Sequence, residues 1–252
     1  MNYTRFCDEI VAQSELLAGQ IADAELTTEV PTCPGWNVGQ LVRHIDGGHR
    51  WAEELVRTRA TEPISDVALR DLSPFESEDP AQLAPVLRQG AEALRDTLVA
   101  AGPDASMWAP VAGGGSAFYA RRFTHETVVH RADAALALGA SFALDPDVAA
   151  DGIEEWLELG SLPFHFEVHP SMRELLAPGR TIGLRATDAD LNWVVDLTGA
   201  EISWRRGDDG AAVTVSGPLT ELLLVIYKRR PPVAVAGDRE LLDFWLQRVD
   251  FG

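Results

Sequence analysis

The spacing of apolar residues changes once along this 252-residue chain, close to Gly139. Before Gly139, apolar residues recur at helical intervals, and these predict helices over about residues 3–23, from Asn37 onward, over about 81–101 and over about 117–138. Four helices of this length suit an antiparallel bundle. Between the second and third of them, residues 60–80 hold several prolines and acids, which is typical of a connector.

After Gly139 the pattern is that of a mixed domain. One more helix is predicted at about 147–159, and short alternating runs then predict strands: TIGLRAT, LNWVVDLT, AEISWRRG and AAVTVSG. PLTELLLVIYKR and DRELLDFWLQRV close the chain as amphipathic helices. The sequence therefore predicts an α+β protein, with a four-helix bundle in residues 1–145 and a smaller α+β domain in residues 146–252.

The second predicted helix carries a histidine on its apolar face. Asn37 and Gln40 match the capping-box pattern of a helix start, and Trp36 with Leu41 matches a hydrophobic staple. His44 lies on the stripe that also contains Leu41, Ile45, Gly48, Trp51, Ala52 and Leu55. A histidine directed at a core needs a partner, which a shared metal or a plain hydrogen bond would supply.

The fourth predicted helix offers such a partner. Glu126 and His130 are four residues apart, so they project from one helix face, roughly 6 Å apart along the axis. With His44 they form a two-histidine, one-glutamate set, which in catalytic zinc sites leaves one coordination position open. An ordinary solvent-facing pair of Glu126 and His130 is the alternative. Asp133, three residues after His130, is either a second hydrogen-bond partner of that imidazole or an exposed aspartate.

Other side chains are weaker candidates. His49 lies about 140° around the helix from His44, so we predict a surface or interface position for it, and we predict a structural role for His125. Cys33 has no adjacent base in sequence and is interpreted as a loop thiol. His165, Glu167 and His169 alternate along the chain. On a strand they would share one face and could form a second metal site, although prolines flank the segment.

The charge balance excludes some partners. The chain has 21 basic against 39 acidic residues, a net charge of −18, which argues against nucleic acid and anionic membranes. The amphipathic, acid-containing N-terminus does not resemble a secretory signal, and two cysteines give no disulfide framework. We therefore expect a cytoplasmic protein. Lys228 is the one lysine among the basic residues, a bias typical of GC-rich bacterial genomes.

Two motifs carry a family resemblance. CPGWNVGQLVRHIDGGHRWA followed by RRFTHETVVHRADAALALG resembles the mycothiol-dependent maleylpyruvate isomerase family of actinobacteria, and VTVSGPLTELLLVIYKRR with VAGDRELLDFWL resembles its second domain. The resemblance implies a DinB-like four-helix bundle and a sterol-carrier-like α+β domain. It also implies that His44, Glu126 and His130 hold the metal, in agreement with the set reached from spacing. A functional arginine is implied in the second domain, for which Arg229 or Arg230 is our choice.

The resemblance implies an enzyme with Zn²⁺ or another divalent metal and mycothiol as thiol cosubstrate. We expect isomerisation of a small electrophile, or S-transfer to it, at a site that opens toward the junction of the two domains. A non-catalytic metal- or ligand-binding protein on the same scaffold is the alternative, and a zinc hydrolase is a third hypothesis. Arg205, Arg206 and the Lys228–Arg230 cluster either bind a substrate carboxylate or are solvated.

Overall fold

The structure is a computed structural model that describes residues 1–67, 79–208 and 210–249. Within these ranges the chain divides into two compact units, Met1–Phe142 and Ala143–Gly252. We keep 1–145 and 146–252 as the proposed domain limits. Most of the predicted 60–80 connector lies outside the described residues. No helix in the described ranges is long and apolar enough to cross a membrane.

The first unit contains four long helices, as predicted: α1 (Tyr3–Ile21), α2 (Val38–Thr58), α3 (Pro80–Ala101) and α4 (Ser116–Leu138). Helices α1 and α2 each pack against both α3 and α4. Two apolar clusters fill the interior, one around Leu55 and Leu94 and the other around Leu41 and Leu87. Full burial of each such leucine contributes about 1.5–3 kcal/mol, so this packing determines the orientation of each helix.

Helix α2 begins where the sequence predicts it to begin. The Asn37 side chain accepts a hydrogen bond from the Gln40 backbone N–H at 2.8 Å, and the Gln40 side chain accepts from the Asn37 backbone N–H at 2.8 Å. This capping box satisfies two backbone donors that the first turn leaves without helical partners. Because the start is fixed in this way, the rotation of α2, and with it the direction of His44, follows from its apolar stripe.

Helix α4 differs from the other three in having little amphipathic character. It contacts α1, α2 and α3, and buried residues surround most of its circumference. Several of these are polar, and Arg131 and Asp133 are nearly or fully buried. Such polar side chains must find partners inside the protein. Their hydrogen-bond and ion-pair partners therefore determine how these polar side chains are oriented inside the unit.

The second unit is built on one five-stranded sheet with strand order β3-β2-β1-β4-β5. Its strands are β1 (Thr181–Ala186), β2 (Asn192–Asp196), β3 (Ser203–Arg206), β4 (Val213–Gly217) and β5 (Ala234–Gly237). The central pair β1 and β4 is parallel, with Leu184 opposite Val215, and the other pairs are antiparallel. The first four strands were predicted, whereas β5 was not, because its four residues carry too short a pattern.

Helices complete the second unit. They are α5 (Pro146–Gly160), the short α6 (His165–Val168), a 3₁₀ helix (Pro170–Leu175), α7 (Leu219–Ile226) and α8 (Arg239–Arg248). Helix α7 packs on α5, β1 and β4. The α+β class predicted from the change in residue pattern is confirmed, with a helical first part and a mixed sheet in the second.

Candidate metal centre between helices α2 and α4

Helices α2 and α4 enclose a cavity of about 100 Å³. Its walls contain the three predicted metal ligands together with a further histidine and apolar or small side chains: His44, Ile45, Gly48, His49, Phe123, Glu126, Thr127 and His130. Every one of these residues belongs to α2 or α4. The cavity is therefore formed by two helices whose mutual rotation is set by their buried apolar residues.

The structure brings the three predicted metal ligands to this cavity. The rings of His44 and His130 meet edge to face, with centroids 5.1 Å apart. His130 Nε2 lies 3.5 Å from Glu126 Oε2. The His130 side chain is 12% exposed and that of Glu126 40% exposed, so the group reaches solvent on the glutamate side. A small ligand can approach the group from that side.

Trp36 supports the two imidazoles from the segment before α2. Its ring centroid lies 4.8 Å from that of His44 and 6.3 Å from that of His130. Aromatic rings in contact restrict one another's rotation and exclude water from one side. The tryptophan of the PGW segment thus has a second role besides preceding the helix cap.

Asp133 orients His130. Its Oδ2 lies 2.9 Å from His130 Nδ1 and 3.4 Å from Cys33 Sγ, while Oδ1 accepts a hydrogen bond from the Thr32 hydroxyl at 2.6 Å. Asp133 is fully buried, so its carboxylate depends on these donors. Because Nδ1 faces Asp133, His130 directs Nε2 toward Glu126. Of the two sequence alternatives for Asp133, the structure favours the hydrogen-bond partner.

Two groups of potential ligands share His130. Ligand atoms of Cys33, His130 and Asp133 lie within 4.8 Å of one another, which is compact enough for a metal ion. We assign this group to hydrogen bonding, because Asp133 accepts from both of the other two side chains and is closed to solvent. His44, Glu126 and His130 differ from this group in lining the cavity, where a small ligand has access.

Family models match both units. The model of the mycothiol maleylpyruvate isomerase N-terminal domain matches residues 7–135, and the MDMPI C-terminal domain model matches residues 147–244. The chain belongs to the mycothiol maleylpyruvate isomerase family. The resemblance seen in the sequence is thereby confirmed. The N-terminal match contains all residues that line the cavity.

Solved structures share the fold of this family member. The crystal structure of the mycothiol-dependent maleylpyruvate isomerase aligns with a TM-score of 0.60 over 94% of this chain and 92% of that chain, at 14% identity. A histidine-to-alanine mutant of a mycothiol-dependent maleylpyruvate isomerase aligns with a TM-score of 0.58, over 89% and 88% of the two chains, also at 14% identity. No curated protein matches the sequence. At this identity the likeness concerns the fold.

His49 is a residue that the sequence analysis misplaced. We predicted a surface or interface position, but its side chain is completely buried and lines the cavity within the helical unit. Nε2 lies 2.9 Å from the Thr127 hydroxyl, which itself donates to the Phe123 carbonyl oxygen at 2.7 Å, so Nε2 carries the hydrogen. Burial lowers the pKa of His49 to about 3, against a smaller opposing effect of Glu126. His49 is therefore a neutral imidazole at physiological pH.

Arg122 is the second residue that sequence reasoning missed. Its Nε lies 3.2 Å from Glu126 Oε1, and its side chain is 12% exposed. Its position four residues before Glu126 was the available signal, because residues four apart meet on one helix face. His125, by contrast, is buried with its ring edge to face with Phe6, at 6.2 Å between centroids, in agreement with a structural role.

The other predicted site residues lie in the second unit. Arg229 Nη1 donates to the Tyr227 carbonyl oxygen at 2.8 Å, and Arg230 Nη1 lies 2.7 Å from Glu221 Oε1. Both follow α7, where Lys228 adopts a left-handed conformation with φ 61°. The alternating set His165, Glu167 and His169 does not lie on a strand, because residues 165–168 form a helical turn.

Proposed function

We propose that this chain is a metal-dependent enzyme that uses a low-molecular-weight thiol, mycothiol, as its cosubstrate. The reaction is the isomerisation of a small electrophilic substrate or S-transfer to it. One observation carries the proposal: two imidazoles and a carboxylate converge on a cavity inside the region matched by the N-terminal family model. A reducing compartment suits a thiol cosubstrate, so we propose a cytoplasmic location.

The donor set fits Zn²⁺ or another divalent metal. His44, Glu126 and His130 would hold the ion, in a combination known from catalytic zinc sites that keep one position for a small ligand. Asp133 would support metal binding by His130, because an Nδ1–H bonded to its carboxylate leaves Nε2 available for the metal. When bound there, a divalent cation supplies thiol activation by lowering the pKa of a coordinated sulfhydryl group.

The cavity walls suit the end of a thiol side chain. Ile45, Gly48 and Phe123 are apolar, and a volume of about 100 Å³ holds a sulfur atom with its adjacent methylene group. Sulfur next to an aromatic ring is stabilised by about 0.3–1.5 kcal/mol. The remainder of the thiol lies outside the cavity, on the side where Glu126 reaches solvent. The apolar walls keep water from the reacting sulfur.

The electrophile would meet the thiol sulfur at the cavity mouth. Addition of the thiol to an electrophilic carbon followed by elimination gives isomerisation, and a stable adduct gives S-transfer. Arg229 or Arg230 would bind a substrate carboxylate, because a guanidinium group matches a carboxylate with two parallel hydrogen bonds. Maleylpyruvate, which gives the solved relatives their name, is the first electrophile to test.

Metal content and thiol-dependent turnover test the proposal. The purified protein should contain one divalent metal per chain, and His44→Ala and Glu126→Ala should lose it together with all mycothiol-dependent conversion. His169→Ala, which changes a histidine of the second unit, should retain both. Wild-type metal content in the two ligand variants would contradict the site. Metal and mycothiol binding without conversion of any electrophile would favour the non-catalytic binding protein.

A further inference from the structure

The two oxygens of the Glu126 carboxylate face different side chains. Oε2 lies 3.5 Å from His130 Nε2, on the cavity side, whereas Oε1 lies 3.2 Å from Arg122 Nε. The two contacts thus engage different oxygens of one carboxyl group. A carboxylate that is held by one oxygen has the other directed into a defined position.

We propose that Arg122 is a positioning residue that holds Glu126 through Oε1 and leaves Oε2 as the single oxygen offered to the metal. The proposal rests on the proposed function, because it assumes that His44, Glu126 and His130 bind a divalent cation. The Arg122–Glu126 contact is an ion pair at 3.2 Å. Residues that orient metal ligands from outside the coordination sphere typically change metal affinity by 10–100-fold. Arg122 would have this effect on Glu126, whose side chain is 40% exposed.

The burial of Arg122 distinguishes it from arginines in ordinary helix pairs. Arginine side chains in four other pairs of this spacing are 47%, 52%, 58% and 57% exposed: Arg5–Glu9, Asp46–Arg50, Glu53–Arg57 and Arg239–Asp243. That of Arg122 is 12% exposed. An exposed arginine contributes little to such a pair, because holding its long side chain in one geometry costs conformational entropy. A mostly buried guanidinium group has few alternative rotamers, so it can restrict Glu126.

Helix stability does not account for the pair. An arginine N-terminal to its glutamate is the less favourable order, since positive charge stabilises the C-terminal end of a helix. Helix α4 also buries most of its surface and is stabilised by packing. The position of Arg122 is therefore explained better by the orientation of Glu126 than by support of the helix.

Charge repulsion by Arg122 would change the metal affinity in the opposite direction to positioning. A guanidinium group near a cation repels it, and this repulsion alone predicts that a neutral residue at position 122 tightens metal binding. Positioning predicts weaker binding. The two accounts differ in the direction of one measurement.

The test compares Zn²⁺ affinity, by chelator competition, in the full-length wild type and in Arg122→Gln, Arg122→Met and Arg122→Lys. We expect about 10–100-fold weaker binding for Gln and Met, and recovery to within a few-fold for Lys, which keeps the charge next to Oε1. Arg57→Gln, which removes the exposed partner of Glu53 on α2, is the matched control and should bind as the wild type does.

The visible absorption of the Co²⁺-loaded proteins reports ligand geometry and separates positioning from a general loss of stability. It should change in Arg122→Gln and Arg122→Met, since Glu126 can then turn both oxygens to the metal, and it should be retained in Arg122→Lys. Equal or tighter Zn²⁺ binding by the Gln and Met variants would overturn the role of Arg122. A wild type that binds no metal would overturn the proposed function itself.

Discussion

At the scale of single residues, several buried polar side chains of the helical unit have defined hydrogen-bond partners. Asp133 accepts hydrogen bonds from Thr32, Cys33 and His130, and His49 donates to Thr127. Each buried polar group must keep its partner, because an unpaired one costs about 1–3 kcal/mol. These contacts fix the orientation of the His130 and His49 imidazoles.

The burial of His49 predicts a pH-dependent loss of stability. Its pKa is about 3 in the folded protein and 6.5 in the unfolded chain, so the unfolded state binds the extra proton between these values. Stability is complete above pH 6.5 and falls as the pH decreases toward 3, by about 2 kcal/mol at pH 5. Urea unfolding of metal-free wild type and His49→Gln at pH 7.5 and pH 5 measures this contribution.

The difference between the two proteins isolates His49, since the other titrating groups are common to both. Glutamine retains a donor for the Thr127 hydroxyl and has no proton to gain. We expect the wild type to lose about 2 kcal/mol more than His49→Gln between the two pH values. An equal loss in both would show that His49 accepts a proton in the folded protein as readily as in the unfolded chain.

At the scale of elements, the helix start before α2 connects fold and site. The capping box at Asn37 and Gln40 sets the first turn, and Trp36, one residue earlier, lies against the His44 ring. A shift of this start would move the α2 side of the candidate metal centre, because His44 lies two turns further along the same helix.

We therefore predict that Asn37→Ala destabilises the protein by about 1 kcal/mol, since it removes the side-chain acceptor of the Gln40 backbone N–H. Asn37→Ser should lose much less, as a hydroxyl group also caps. Asn2→Ala is the comparison, because Asn2 caps α1 with one hydrogen bond to the Arg5 N–H and is exposed. Urea unfolding provides the free energies, and a loss at Asn37 no greater than at Asn2 would contradict the role of the box.

At the scale of the whole molecule, the proposed metal centre belongs to one unit. His44, Glu126 and His130 all lie within Met1–Phe142, whereas the sheet belongs to Ala143–Gly252. A ligand that binds only the folded form stabilises the unit that contains its site. The two parts of this family member should therefore respond differently to metal.

Removal of the metal by a chelator should weaken the helical unit selectively. At a free metal concentration of 100 times Kd, the stabilisation lost is about 2.7 kcal/mol. Hydrogen exchange should then accelerate in α2 and α4 and remain unchanged in β1 and β4. The Glu126→Ala protein, which lacks a ligand, should show no response to the chelator. Equal acceleration in the sheet would contradict a site confined to the first unit.

Local sequence patterns predicted the fold class, one helix start and the direction of three side chains. Helical spacing in the first half and alternation in the second predicted the α+β class, and the capping residues predicted the start of α2. The same spacing directed His44, Glu126 and His130 inward, and they line one cavity, although metal binding by them stays a prediction. These features depend on residues close together in sequence, so a single chain displays them.

Only the tertiary structure decided which other side chains reach the cavity. Helix α4 packs on three neighbours, so its periodicity did not distinguish a buried from an exposed face, and Arg122 and Asp133 were left without a defined environment. His49 turned inward because α2 is buried over a wide sector and not along one stripe. The parallel pairing of β1 with β4 and the addition of β5 likewise depend on contacts between distant segments. A residue is buried when other segments pack against it, and which segments do so depends on the whole fold.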